Sequence, residues 1–284
     1  MLSGIKFCMQ NNDFPLSLSN NLKKVNALEQ LQKKLAQNFN YKIRVGVEIE
    51  FYLEPNDVKQ KLYSYLKTYN LKKERGYCQY EIEISPTEDL TYLAQLINNT
   101  ITKIQLMARS YNGVSKFDAK PYLSDYGNAL HFHIELLDCN NLNVFEQDSN
   151  ILTSTINSIC HYMKETFLVF VHREEDFLRL NKNFMAPTHI AYGGNNRTVA
   201  IRIPNSLPLR IEHRLASPLI CQYLALYTIL KSIYLGIKAP DKINSHTKIY
   251  GNAYDSQYNL ELLPNNIIAA TNCFNIKFFE MNEI

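Results

Sequence analysis

Residues 45–53 read VGVEIEFYL, and the alternation in this stretch decides the architecture. Starting at Ile43, the apolar residues Ile43, Val45, Val47, Ile49, Phe51 and Leu53 fall on every second position. That is the period of a β-strand with one buried face. Glu48 and Glu50 then share the opposite face. Working outward, further strands are expected at 77–85, 117–121, 129–137, 197–203 and 209–214. Helices are expected near 57–70, 88–111, 147–171 and 216–237. Leu22, Val25, Leu28, Leu31, Leu35 and Phe39 recur at three and four residues, which predicts an amphipathic helix over 20–39. Long helices interleaved with alternating strands predict an α+β fold: a mainly antiparallel, curved sheet with helices packed on one face. The division expected is a tail and helix over 1–42 and one domain over 43–284. The stretch 239–284, with scattered Asn, Pro and Tyr, is not legible as elements.

Three other strands share the habit of the first. Gln79, Glu81 and Glu83 oppose Cys78, Tyr80, Ile82 and Ile84; His131, His133 and Glu135 oppose Leu130, Phe132, Ile134 and Leu136. Arg210, Glu212 and Arg214 oppose Leu209, Ile211 and Leu215, with His213 breaking the pattern. A single strand of this kind is explained by a charged face turned to water. Four together suggest one polar face with a task. Glutamate and histidine are poor strand formers, and carboxylates two residues apart on one face repel unless a divalent cation neutralises them. Carboxylates with an imidazole suit Mg²⁺ or Mn²⁺ better than zinc. Neighbouring arginines suit phosphate or carboxylate, which the planar guanidinium grips with two parallel bonds. Metal ligands, carboxylates and arginines in one cleft point to phosphoryl transfer.

Composition narrows the alternatives. Hydrophobic residues make up 46% and charged residues 20%, as in an ordinary soluble globular protein. A net charge of +3 with no long basic block gives no case for nucleic acid. Cys8, Cys78, Cys139, Cys160, Cys221 and Cys273 lie far apart without a C-x-x-C pair, so reduced core thiols are expected rather than disulfides or zinc. The opening MLSGIKFCMQ lacks the apolar stretch of a signal peptide. The most apolar run, 219–237, carries Gln222 and Lys231 at its heart and reads as a core helix, not a membrane span. The cytoplasm is the expected compartment.

Five segments resemble motifs of the glutamine synthetase family, in family order between about residues 43 and 238. VGVEIEFYL (45–53) is similar to its Gly-x-Glu-x-Glu-Phe strand and GYCQYEIEISP (76–86) to its Gly-Gln-x-Glu strand. KPYLSDYGNALHFHIEL (120–136) resembles its Lys-Pro…His-x-His segment, NNRTVAIRIP (195–204) its Asn-Arg…Arg-Ile-Pro signature, and RIEHRLASP (210–218) its Arg-x-Glu-x-Arg segment. The resemblance implies a catalytic domain with two or three Mg²⁺ or Mn²⁺ ions and ATP as co-substrate. Glu50, Glu74 and Glu81 would hold one ion; Glu48, His131 and Glu212 would hold another. Arg197, Arg202 and Arg210 would neutralise phosphate charge, with His133 beside the nucleotide. Arg179 and Arg214 would face the carboxylates of glutamate or a similar acid, and Gly127 would let substrate approach the backbone. Arg179 and Arg202 would act in catalysis. Arg197 and Arg202 have opposite parity, so one of them is expected on a loop or bulge.

Departures from the family pattern gather on the acid and amine side. The gap from Glu74 to Glu81 is one residue short. Met185 stands where a flap glutamate is usual, Tyr126 where an asparagine is usual, Leu207 where a lysine is common, and Glu135 where a small hydroxyl residue is usual. Only some 42 residues precede the first metal strand, so the family's small N-terminal domain is expected to be missing. A homo-oligomer smaller than the full family ring, or a monomer, is then expected. Two readings stay open: a ligase joining an amine other than ammonia to the acid, and a degenerate relative that binds metal-nucleotide or a partner protein without chemistry.

Overall fold

Val45, Val47, Ile49 and Phe51 are all buried, which makes their strand, β1 (Lys42–Glu54), the centre of the hydrophobic core. The computed structural model describes residues 14–24 and 26–280; Val25 and Cys8 lie outside the described residues. On one side β1 pairs antiparallel with β3 (Gln79–Thr87), and β2 (Lys72–Lys73) lies beyond it. On the other side its C-terminal end pairs with β4 (Val114–Lys116) and the rest with β5 (Leu130–Leu137). Beyond β5 follow β8 (Ile211–Ala216), β7 (Ile201–Arg202), β6 (Tyr192–Gly193) and β9 (Lys248–Ile249). The sheet is open, and among the described residues only the two pairings of β6 are parallel.

The helices are α1 (Phe14–Lys24), α2 (Ala27–Phe39), α3 (Asn56–Leu66), α4 (Leu90–Ser110), α5 (Val144–Gln147), α6 (Ser149–His161), α7 (Glu174–Phe177), α8 (Gln222–Lys238) and α9 (Ile267–Cys273). Helix α8 is buried on nearly every side because α1, α2, α4 and α6 all pack against it. Its buried Lys231 donates to the Glu280 carbonyl at 2.8 Å. Among the described residues no helix is long and apolar enough to cross a membrane. Leu28, Leu31 and Leu35 of α2 share one core with Val45 and Val47, so the N-terminal helices belong to the same packing unit as the sheet.

Several expected elements are corrected. The helix over 20–39 is two helices, parted at Asn26, whose φ of 47° is left-handed. The helix over 147–171 ends at His161, and Phe167–Val169 form a separate buried 3₁₀ turn. Residues 117–121 form a loop after β4, anchored by Phe117 stacked on Phe51 at 5.0 Å. The strand over 197–203 shrinks to Ile201–Arg202. Of the described cysteines, Cys78 and Cys160 are core thiols as expected, Cys139 is exposed, and all five are unpaired.

Candidate active site

Strand register brings the polar faces into rows. Glu81 stands opposite Glu50, and Glu83 opposite Glu48, which in turn faces His131. His133 stands opposite Glu212, which faces Arg202. Carboxylates directly opposite one another destabilise a sheet unless something neutralises them. Glu48, His131 and Glu212 present ligand atoms within 4.8 Å of one another, and so do Glu50, Glu81 and His131. Oxygen-rich sets with one imidazole fit Mg²⁺ or Mn²⁺. Glu74 joins neither group; it sits on the β2–β3 turn, where its carboxylate accepts from the Arg75 amide at 3.3 Å while lining the same cleft.

Charge in this cleft is unevenly compensated. Burial, and then the carboxylates of Glu48, Glu50 and Glu74, push Glu81 up to about 9. Burial also raises Glu50, although the Ala129 amide donates to its carboxylate at 2.8 Å. Burial opposes the charge on Glu48 too, but the imidazoles of His131 and His133 outweigh it and hold Glu48 well below the carboxylate range. Glu212 is likewise held low against burial by His131, Arg214 and Arg202. The tautomer of His133 follows from its partners. Arg210 Nε donates to His133 Nδ1 at 3.1 Å, so a neutral ring carries its proton on Nε2, 3.2 Å from Glu48. His133 thus stands between Arg210 and the candidate ligand Glu48, close to its carboxylate but without an aligned hydrogen bond to it.

The arginines close the other side. Arg202 donates to Glu212 at 2.7 Å and to Asn195 at 3.1 Å. Arg214 donates to Glu212 at 3.1 Å and to the Arg197 carbonyl. Arg197 lies on a turn, as the opposed parity required, and its exposed side chain lines the cleft. His213, which broke the alternation, belongs to the core face. It lies opposite Phe132 with its ring 4.3 Å from that of Phe170, and burial pushes it down to about 3. Alternation carries Arg214 to the same cleft as Glu212, and an irregularity between His213 and Ala216 then lets the consecutive Leu215 and Ala216 both be buried. The cleft has a volume of about 440 Å³.

Residues 64–279 match the family model described as glutamine synthetase, catalytic domain. The chain belongs to the glutamine synthetase family. Its sequence is 27% identical to the glutamine synthetase of Pyrococcus woesei, over 85% of this chain and 62% of that protein. It is 25% identical to the γ-glutamylputrescine synthetase PuuA of Escherichia coli, over 63% and 39% of the two chains. The chain thus spans about three fifths of the length of the former relative. The fold resembles that of GmaS in its ADP complex, with a TM-score of 0.78 at 21% identity over 90% of this chain and 69% of that one. It also resembles the Plasmodium falciparum glutamine synthetase, with a TM-score of 0.73 at 15% identity over 90% and 71%.

In this glutamine synthetase-family chain a second cavity, of about 60 Å³, opens beside Glu50 and is lined by Arg179, Arg214, Gly127 and the segment 184–187. Gly127 serves a neighbour: a Cβ there would fall 2.5 Å from the Arg179 side chain and 2.6 Å from the Ala119 carbonyl. Its missing side chain makes room for Arg179, and Gly127 itself lines the cavity where the resemblance expects substrate. Met185 lines this cavity from a left-handed turn with φ of 56°. Phe184 before it packs edge-to-face on Tyr126 at 5.5 Å, under the ammonium of Lys120. Sequence reasoning missed Lys72 and Asn195 as cleft residues. Strand β2 is two residues long and has no period to read, while Asn195 is part of a quoted signature without being singled out.

Proposed function

We propose that this chain is the catalytic part of an ATP-dependent ligase that forms an amide at the γ-carboxylate of glutamate, or of a similar acid, through an acyl phosphate. The observation that carries this reading is the pair of carboxylate–imidazole groups flanked by Arg202, Arg210 and Arg214 in one cleft. A neutral imidazole offers one lone pair, so His131 would serve a single ion, with Glu48 and Glu212. Glu50 and Glu81 would hold the second, with Glu74 turning in from the rim as third ligand. When bound, Mg²⁺ or Mn²⁺ would supply Lewis-acid polarisation of the phosphoryl oxygens. Arg197, Arg202 and Arg210 would bind the nucleotide phosphates, and a cavity of about 250 Å³ lined by His133, Arg210, Val47, Ile84 and Glu135 is contiguous with them. Arg179 and Arg214, both buried against the second cavity, would orient the acid. Preorganised cations of this kind stabilise charge that develops during transfer.

The acceptor proposed is an amine with a carbon body. Ammonium must exchange its water shell for acceptor groups and then lose a proton, which a nearby carboxylate assists. Met185 does neither, and its thioether beside Phe184 and Tyr126 forms a soft apolar wall. The deciding experiment incubates the purified chain with ATP, Mg²⁺ or Mn²⁺, glutamate and a panel of amines, with products read by mass spectrometry. An amine-dependent γ-glutamyl product with ADP release is expected, and glutamine formation from ammonia should be absent or very slow. Robust glutamine synthesis would overturn the choice of amine. Nucleotide binding without any amide product across the panel would favour the degenerate relative.

A further inference from the structure

The row of opposed glutamates does not end at β3. The short edge strand β2 pairs so that Lys72 stands directly opposite Glu81, extending the sequence Glu50–Glu81 by one position on the same face of the sheet. Its ammonium bonds the Glu83 carboxylate and lies 3.6 Å from Glu81 Oε1. Glu83 is held from its other oxygen by the Asn70 amide at 2.5 Å. Glu48, Glu81 and Glu83 place oxygens within 4.8 Å of one another, the same spacing as in the two groups already described. Three such groups, sharing Glu48, Glu81 and His131 between them, thus line this cleft, and at the outermost a lysine supplies the charge.

Resting on the reading of the cleft as a metal centre, we infer that Lys72 is a tethered cation standing in for a third divalent ion, so that the chain loads two ions where its carboxylates would accept three. An ammonium and a divalent ion cannot share the same oxygens. An ion would need Glu81 and Glu83 at about 2.0–2.6 Å, inside the volume the Nζ group holds, and the two like charges would repel strongly at that distance. The tethered charge needs no uptake from solution, so the outer carboxylates stay compensated when free metal is scarce. Lys72 is 45% exposed, so replacing it removes the charge without opening the core.

The test is the stoichiometry of Mn²⁺ alone, measured by equilibrium dialysis with metal analysis and by native mass spectrometry. Wild type and Lys72→Arg should each bind two ions at saturation, and Lys72→Met should bind three. Lys72→Met combined with Glu83→Gln should return to two, because the third ion would have lost its outer ligand. Three ions on the wild type, or two on a Lys72→Met variant with wild-type circular dichroism, would overturn the inference and leave the metal centre standing. A wild type that binds no Mn²⁺ would overturn both together.

Discussion

Glu81 carries the least compensated charge in the cleft, with Glu50 opposite it and Glu48 and Glu74 close by. An acid whose pKa is raised by folding keeps its proton in the native state after the unfolded chain has released it. Stability then falls as pH climbs from the ordinary 4.5 toward about 9. Metal-free protein should therefore melt lower at about pH 8 than at about pH 6. Glu81→Gln should raise the metal-free stability at about pH 8 by on the order of 1–2 kcal/mol, a few degrees in Tm, and flatten the pH dependence. Differential scanning calorimetry in EDTA reads this directly, and an unchanged Tm would contradict the crowding. Cys78, in the turn just before β3, adopts φ of 58° while buried. Left-handed backbone costs a residue with a Cβ roughly 1–2 kcal/mol, partly offset by the greater freedom of an unfolded glycine. Cys78→Gly should consequently change stability by less than about 1 kcal/mol in urea titrations, the relieved backbone offsetting the lost burial of the thiol.

At the level of elements, asparagine takes the place usually held by glycine. Among the described residues Asn26, Asn40, Asn70, Asn112, Asn141 and Asn259 all have positive φ, and no glycine does. Asn40 ends α2 in this way, its amide returning to the Ala36 carbonyl. Asparagine tolerates the left-handed region because its short side chain hydrogen-bonds locally. Asn40→Gly should be neutral or slightly stabilising, whereas Asn40→Val should lower stability by about 1–2 kcal/mol, measured by chemical denaturation. The same residues explain where the sequence reading of elements faltered. Apolar periodicity runs unbroken through Leu22, Leu28 and Leu31, so only the backbone shows the break at Asn26. Strand edges were legible where one face is buried, as in β1, β3 and β5, and illegible in two-residue strands such as β2, β6 and β9.

For the whole molecule, the proposed metal centre would couple metal to stability, since ions that bind the folded site have no equivalent in the unfolded chain. Mn²⁺ at about a hundred times its Kd should add about 2.7 kcal/mol for each ion bound, or roughly 5–10 °C in Tm per ion, and EDTA should reverse it. Glu212→Ala should abolish the share of that shift owed to one ion, because it removes that ion's proposed ligand and frees Arg202 and Arg214 to repel it. A full Mn²⁺ shift in that variant, read by thermal melting, would place the ion elsewhere.

Residue type and period two were enough to determine that Glu48, Glu50, Glu81, His131, His133 and Glu212 share the polar side of a half-buried sheet. Alternation is a local property of the chain, enforced by burial of Val47, Ile49, Ile82 and Phe132 on the other side. Which of those residues meet was decided only by long-range pairing: the register that sets Glu81 against Glu50 and Lys72, and Glu212 against His133 and Arg202. Loop contacts were equally out of reach, because Arg179 filling the space at Gly127 and Phe184 packing on Tyr126 join segments with no shared period. Pairing partners and loop packing are selected by the energy of the assembled core, which no single stretch of sequence contains.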